Sequence, residues 1–114
     1  MVIRGGENLF PAEIEAVLHE HEDVVDAAVL GVPDPLMGEE LVAFVRLSGR
    51  RPSARELHAH VRTRLAAQKT PRYWVFVEAY PLTGSGKIQK FALREQWQQG
   101  EFQATDLKRE LRGP

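Results

Sequence analysis

Val24-Val25-Asp26-Ala27-Ala28-Val29-Leu30-Gly31-Val32, closed by Pro33-Asp34-Pro35, and the later run Leu41-Val42-Ala43-Phe44-Val45-Arg46-Leu47 decide the fold. The first run is mostly apolar, and the second is apolar on both faces until Arg46. Strands of that kind predict a sheet covered by helices on at least one side. Towards the C-terminus, Ser48-Gly49-Arg50-Arg51-Pro52 reads as a turn. Ser53-Ala54-Arg55-Glu56 is a capping box that opens a helix, and Leu57, Val61 and Leu65 follow at four-residue spacing on one face. Thr70-Pro71 stops that helix. Trp74-Val75-Phe76-Val77 predicts a further strand, Ile88 a short one, and Ala92 to Gln99 a last helix with Leu93 and Trp97 four apart. Towards the N-terminus, Val2-Ile3-Arg4 predicts a short strand broken by Gly5-Gly6. Pro11 suits the first turn of a helix, Glu13 and Glu15 favour its positive end, and Ile14, Val17, Leu18 and His21 make its apolar stripe.

The resulting order, β-α-β-β-α-β-β-α, predicts an α+β domain over residues 1–99, with a small, mainly antiparallel sheet and about three flanking helices. Trp74, Phe76 and Trp97 are patterned as core. Residues 100–114 lose the apolar pattern and are expected to fray as a polar tail, although 106–112 have the makings of one or two helical turns.

With 114 residues and 43% hydrophobic side chains, the chain suits one domain with a real core and is not a disordered segment. It contains no cysteine, which excludes a disulfide framework and a thiolate zinc site and fits a reducing cytosolic setting. No apolar run approaches the length of a membrane span, and no signal peptide stands before the first motif. The net charge of −1 conceals an asymmetry. Residues 1–40 carry ten acids against Arg4 alone, whereas 41–94 carry eleven Lys or Arg against Glu56 and Glu78. The basic half reads either as a solvated face or as an attractor for a polyanion, with coenzyme A and nucleic acid both qualifying.

Function is concentrated in Pro81-Leu82-Thr83-Gly84-Ser85-Gly86-Lys87-Ile88-Gln89-Lys90. Gly84, Ser85 and Gly86 free the backbone to take positive φ and to approach a ligand closely, and Lys87 adds a compact point charge. A phosphate-cradling P-loop is excluded, because Pro81 stands where its first glycine belongs and Ile88 replaces the magnesium-binding hydroxyl. Lys90, two residues past Ile88 on the strand face opposite Gln89, is a secondary candidate beside the reading of an ordinary solvated lysine. Gly5 and Gly6 offer a second stretch lacking Cβ, and Arg4 and Glu7 beside them are both candidates for ligand contact. Arg72, with Arg62, Arg64 and Lys69, could meet phosphates or simply face water. His19/His21 and His58/His60 are spaced i, i+2, about 200° apart on a helix, so they predict no metal site.

Taken together, the motifs resemble the small C-terminal domain of acyl- and aryl-CoA synthetases and related adenylate-forming enzymes. Pro81, four residues, Gly86 and Lys87 are similar to that family's C-terminal lysine motif, and Ile3-Arg4-Gly5-Gly6-Glu7-Asn8-Leu9-Phe10-Pro11-Ala12-Glu13-Ile14-Glu15 is similar to the motif that opens the domain. Val29-Leu30-Gly31-Val32-Pro33-Asp34 and Gly38-Glu39-Glu40 lie between them in family order. The resemblance covers about residues 2–97. It implies ATP-dependent formation of an acyl-AMP from a carboxylic acid, with Mg²⁺, and then transfer of the acyl group to CoA. Lys87 would reach the acyl carboxylate and the α-phosphate in the first step, and the Gly5-Gly6 loop would lie beside the pantetheine arm in the second. The resemblance further implies that the domain rotates between the two steps. The Arg-Gly-Gly-Glu-Asn spelling is nearer to fatty or medium-chain ligases than to acetate or coumarate ones.

The resemblance also implies a large N-terminal adenylation domain in cis, carrying the ATP loop and the acyl pocket. Neither lies within these residues, so the chain alone is expected to be inactive. The competing expectation is a free-standing binding or regulatory module, with nucleic-acid binding through the basic half as its least favoured form.

Overall fold

The computed structural model describes residues 1–110. At its centre, β3 (Val24–Asp34) and β4 (Gly38–Leu47) pair antiparallel from Val24↔Leu47 to Asp34↔Gly38, with a bulge between Val24 and Asp26. The Asp34 carboxylate turns the chain between them by accepting the Leu36 and Met37 N–H groups at 3.1 and 2.8 Å. The first strand therefore continues through Pro33, where the expected end had been placed. Proline is tolerated because β3 pairs only with β4, and Pro33 shares its parity with Val29 and Gly31, whose backbone groups face the free edge. At that edge the Val29 N–H donates to Glu15 Oε2 at 2.8 Å, and Arg94 Nε donates to the Gly31 carbonyl at 2.8 Å.

On its other side β4 meets β1 (Val2–Arg4) at Gly38 and β5 (Tyr73–Phe76) from Val42 to Val45. The β4–β5 pairing is parallel; the other ladders are antiparallel. β2 (Glu7–Leu9) adds to β1, and β6 (Thr105–Asp106) adds to β5, completing six strands. The mainly antiparallel α+β expectation holds, with four α-helices among the described residues where about three were expected.

Because β3 and β4 are apolar on both faces, each face makes its own core. Ala27, Val29, Leu41, Ala43 and Val45 pack with Ile14, Val17 and Leu18 of α1 (Pro11–His19) and with Leu57 and Val61 of α2 (Ala54–Arg62). Ala28, Leu30, Val32, Val42, Phe44 and Val75 pack with Leu93 of α3 (Lys90–Gln98). Ser53 caps α2 as its sequence predicts, its side chain accepting the Glu56 N–H at 3.1 Å. Trp74 is fully buried and donates its indole N–H to Pro71 O at 3.2 Å, and Trp97 lies half-buried against Tyr73 and Phe44. Phe76 departs from the core expectation: at the end of β5 it is 42% exposed.

Two further expectations are corrected. The short strand at Ile88 is a single bridge to Leu82, and Lys90 begins α3 rather than lying on a strand. Residues 100–110 do not fray either. Phe102 stacks edge-on against Phe44 at a 5.0 Å centroid distance, β6 pairs with Tyr73 and Trp74, and Leu107 of α4 (Leu107–Glu110) is buried in the first core. The helical turns expected over 106–112 are met by α4 as far as residue 110; 111 and 112 lie outside the described residues.

Candidate functional site

The Lys87 segment is a closed hairpin. Its stems are tied by Gln89 N–H to Pro81 O at 2.8 Å and by Thr83 N–H to Lys87 O at 2.8 Å. Its tip is a turn in which Gly86 N–H reaches Thr83 O at 2.9 Å while Gly86 sits at φ 87°, a conformation that favours glycine. The Thr83 hydroxyl accepts the Lys87 N–H at 3.1 Å and lies 3.0 Å from Ser85 Oγ. A Cβ added at Gly84 or Gly86 would meet nothing within 4 Å. The tip therefore stands clear of the body, and the whole run from Gly84 to Lys87 is exposed. Leu82 and Phe91, on either side of it, are 55% and 72% exposed.

The charges around Lys87 give this lysine its distinction. Six bases of the basic half pair with acids of the acidic half: Arg46 with Asp26 and Arg64 with Glu20 at 2.7 Å, Lys69 with Glu13 at 3.0 Å, Lys90 with Glu15 at 2.7 Å, Arg50 with Asp23 at 3.8 Å, and Arg72 with Glu40 and Asp34 at 3.9 and 4.0 Å. Arg51 pairs with Glu78, while Arg55, Arg62 and Arg94 donate to backbone carbonyls. Among the described residues, Lys87 is the one Lys or Arg between 41 and 94 with neither an ion pair nor a side-chain hydrogen bond. The uneven charge of the sequence is thus largely internal complementarity.

Three site candidates have partners within the fold. Arg72 forks onto Asp106 with Nε and Nη2 at 3.0 Å each, which raises its own pKa and lowers that of Asp106. Its guanidinium is thus already engaged by carboxylates of the fold. Arg4 bonds the buried Glu40 at 2.7 Å and the Thr70 and Gln68 carbonyls, so it ties β1 to β4. Lys90 is held by Glu15. Sequence periodicity could not have found these roles, because the partners lie 32 to 75 residues apart in the chain.

Gly5 and Gly6 form the two-residue turn between β1 and β2, with φ of 56° and 86°, the signs of a type I′ hairpin turn. Gly5 N–H donates to Met37 O at 2.9 Å. A Cβ at Gly5 would come within 2.9 Å of Met37 Cε, whereas one at Gly6 would meet nothing. Arg4, Gly5, Glu7, Glu40 and Arg72 line one cavity of about 420 Å³, of which Lys87 is not part. Glu7 stays exposed at its rim. The two glycine-bearing hairpins are therefore separate sites. Two of the histidines serve structure: His60 Nε2 donates to Val17 O at 2.7 Å, and its ring meets His21 edge-on at 5.1 Å. Among the described residues, no three His, Asp or Glu side chains gather as a metal site.

The model of the AMP-binding enzyme C-terminal domain matches residues 13–87, ending on the exposed lysine. The chain belongs to that family. This C-terminal domain is 54% identical over 100 residues to the mitochondrial medium-chain acyl-CoA ligase ACSF2 of Rattus norvegicus, covering 87% of the chain and 16% of the relative. Among solved structures it superposes on the Mycobacterium tuberculosis fatty acyl-CoA synthetase with a TM-score of 0.81 at 42% identity, covering 85% of this chain and 19% of that one. The ATP-bound MatB of Rhodopseudomonas palustris matches with a TM-score of 0.81 at 35% identity, over 85% and 20% of the two chains. The domain thus spans about a fifth or less of the proteins it matches. No helix among its described residues is long and apolar enough to cross a membrane. The rat relative is named as mitochondrial, so that likeness lends no support to the cytosolic setting expected from the sequence.

Proposed function

We propose that this domain is the mobile C-terminal part of an ATP-dependent acid–CoA ligase, in which Lys87 serves adenylation and the Gly5-Gly6 hairpin serves acyl transfer to CoA. The observation that carries the first half is the uncommitted ammonium of Lys87 on a clear, backbone-stapled tip. In the adenylation step a carboxylate oxygen attacks the α-phosphorus of ATP and pyrophosphate leaves with the electron pair of the broken P–O bond. Two anions must approach while charge builds on the phosphoryl oxygens. An ammonium already in place opposes that cost, and a donor of this kind is worth roughly 3 kcal/mol, or 10²–10³ in rate. Leu82 and Phe91 give the hairpin an apolar rim suited to seating against a large adenylation domain in cis, where ATP, the carboxylic acid and the acyl pocket would lie. Mg²⁺ would travel with the nucleotide. In the second step the CoA thiol displaces AMP, and the Cβ-free turn at Gly6 leaves room for the pantetheine chain to slide past. Medium-chain or fatty acids are the proposed acyl substrates, supported by the relatives' names. The chain by itself would not turn over.

The test uses the full-length protein carrying this domain. Lys87→Ala should slow acyl-AMP formation by roughly 10²–10³ and leave thioester formation from supplied acyl-AMP intact. Equal losses in both half-reactions would overturn the assignment.

A further inference from the structure

The lysine hairpin is fastened to the sheet at both stems. At the first stem Tyr80, directly before Pro81, turns its ring into the second core beside Ile88. Its hydroxyl lies 2.8 Å from Phe44 O and 3.1 Å from Asp26 O, one carbonyl from each central strand. Burial and the nearby Asp26 push the phenol well above its ordinary pKa, so it stays a donor through the neutral range. At the second stem Lys90 Nζ lies 2.7 Å from Glu15 Oε2, the same oxygen that accepts the Val29 N–H. Between these fasteners the chain is held by its own turn hydrogen bonds and the Leu82–Ile88 bridge. A lysine on a four-carbon stem is placed only as well as the backbone that carries it, and ångström-scale misplacement costs catalysis heavily.

We propose that Tyr80 and Lys90 are positioning residues for Lys87, clamping the two stems of its hairpin to β3 and β4 so that the ammonium arrives at the reacting phosphate in one register. This role rests on the reading of Lys87 given above. Tyr80 is thereby more than a core aromatic, and Lys90 acts through Glu15 rather than on substrate.

The full-length protein tests it with Tyr80→Phe, Lys90→Met and Lys90→Arg, each alone and combined with Lys87→Ala. Tyr80→Phe and Lys90→Met should each lower kcat for acyl-AMP formation about tenfold, with the KM for ATP and the thioester step from supplied acyl-AMP little changed. Lys90→Arg, which keeps the ion pair, should restore the rate. In the Lys87→Ala background both losses should shrink below about twofold, because no lysine remains to be misplaced. Equal slowing of both half-reactions, or full additivity with Lys87→Ala, would overturn the positioning role. Should Tyr80→Phe fail to fold, Lys90→Met carries the test, its side chain being 41% exposed. A Lys87→Ala protein that adenylates normally would overturn the reading of Lys87 itself. A crippled Lys87→Ala beside unaffected Tyr80→Phe and Lys90→Met would remove only the clamp.

Discussion

At Gly5 and Gly6 two demands fall on the same residues, and their surroundings separate them. Both sit at positive φ, where an L side chain costs about 1–2 kcal/mol. Gly5 is also closed in by Met37, whereas Gly6 faces open space. Gly5→Leu should therefore lose about 1–2 kcal/mol in urea unfolding through the turn alone, so it says little about CoA. Gly6→Asn is the sharper probe, since asparagine accepts the left-handed region and a type I′ turn. It should keep native stability yet slow thioester formation while adenylation proceeds. A Gly6→Asn protein as fast as native in both half-reactions would reduce this loop to a hairpin turn. The exposed loop that carries Lys87 was legible in the sequence because its setting is local: two glycines, a serine and a proline within seven residues. The duties of Arg4, Arg72 and Lys90 were not, because a cation's partner across the fold leaves no periodic mark.

The elements that were legible are those whose hydrophobic pattern runs unbroken. β3 and β4 bury contiguous runs and α1 and α2 a regular stripe, while α3 packs Leu93 and the half-buried Trp97 at the expected four-residue spacing. β2 and β6 have three and two residues, too few for a pattern, and the tail anchors itself through isolated apolar residues set among polar ones. Leu107 is the clearest case, 2% exposed in the first core, with its N–H on Arg72 O at 2.8 Å. Leu107→Ala should cost about 2–4 kcal/mol in urea denaturation, where a frayed tail would show no change. Asp106 completes that anchor. The Arg72 fork, ahead of all other causes, holds its carboxyl below the ordinary value. Its stabilisation is therefore present above the usual carboxylate pKa of about 4 and is lost as pH falls through the lower folded value. Unfolding free energies measured from neutral pH to roughly pH 3 should decline less steeply for Asp106→Asn than for the native domain. Parallel curves would show that the pair does not couple to folding.

For the whole molecule, the pairing of an acidic N-terminal part with a basic middle decides what the domain can hold by itself. Charges that satisfy each other within the fold are not available to a polyanion, and one lysine with one glycine turn cannot offset association costs of at least about 4 kcal/mol. Calorimetry of the 114-residue chain should find ATP and CoA bound no tighter than about millimolar, with a short nucleic-acid duplex no better. Micromolar binding of ATP would place a nucleotide site on this domain, and micromolar duplex binding would make it a nucleic-acid module. In the proposed role the domain swings, and swinging would bare flanks that a fixed domain keeps covered. β3 is an eleven-residue strand with no strand on its outer side among the described residues, the kind of border along which sheets of separate molecules zip together. Here the row is interrupted at three positions: a carboxylate takes the Val29 N–H, a guanidinium takes the Gly31 carbonyl, and at Pro33 there is no N–H to offer. A domain that swings as proposed would meet its own copies with that seam already part-stitched.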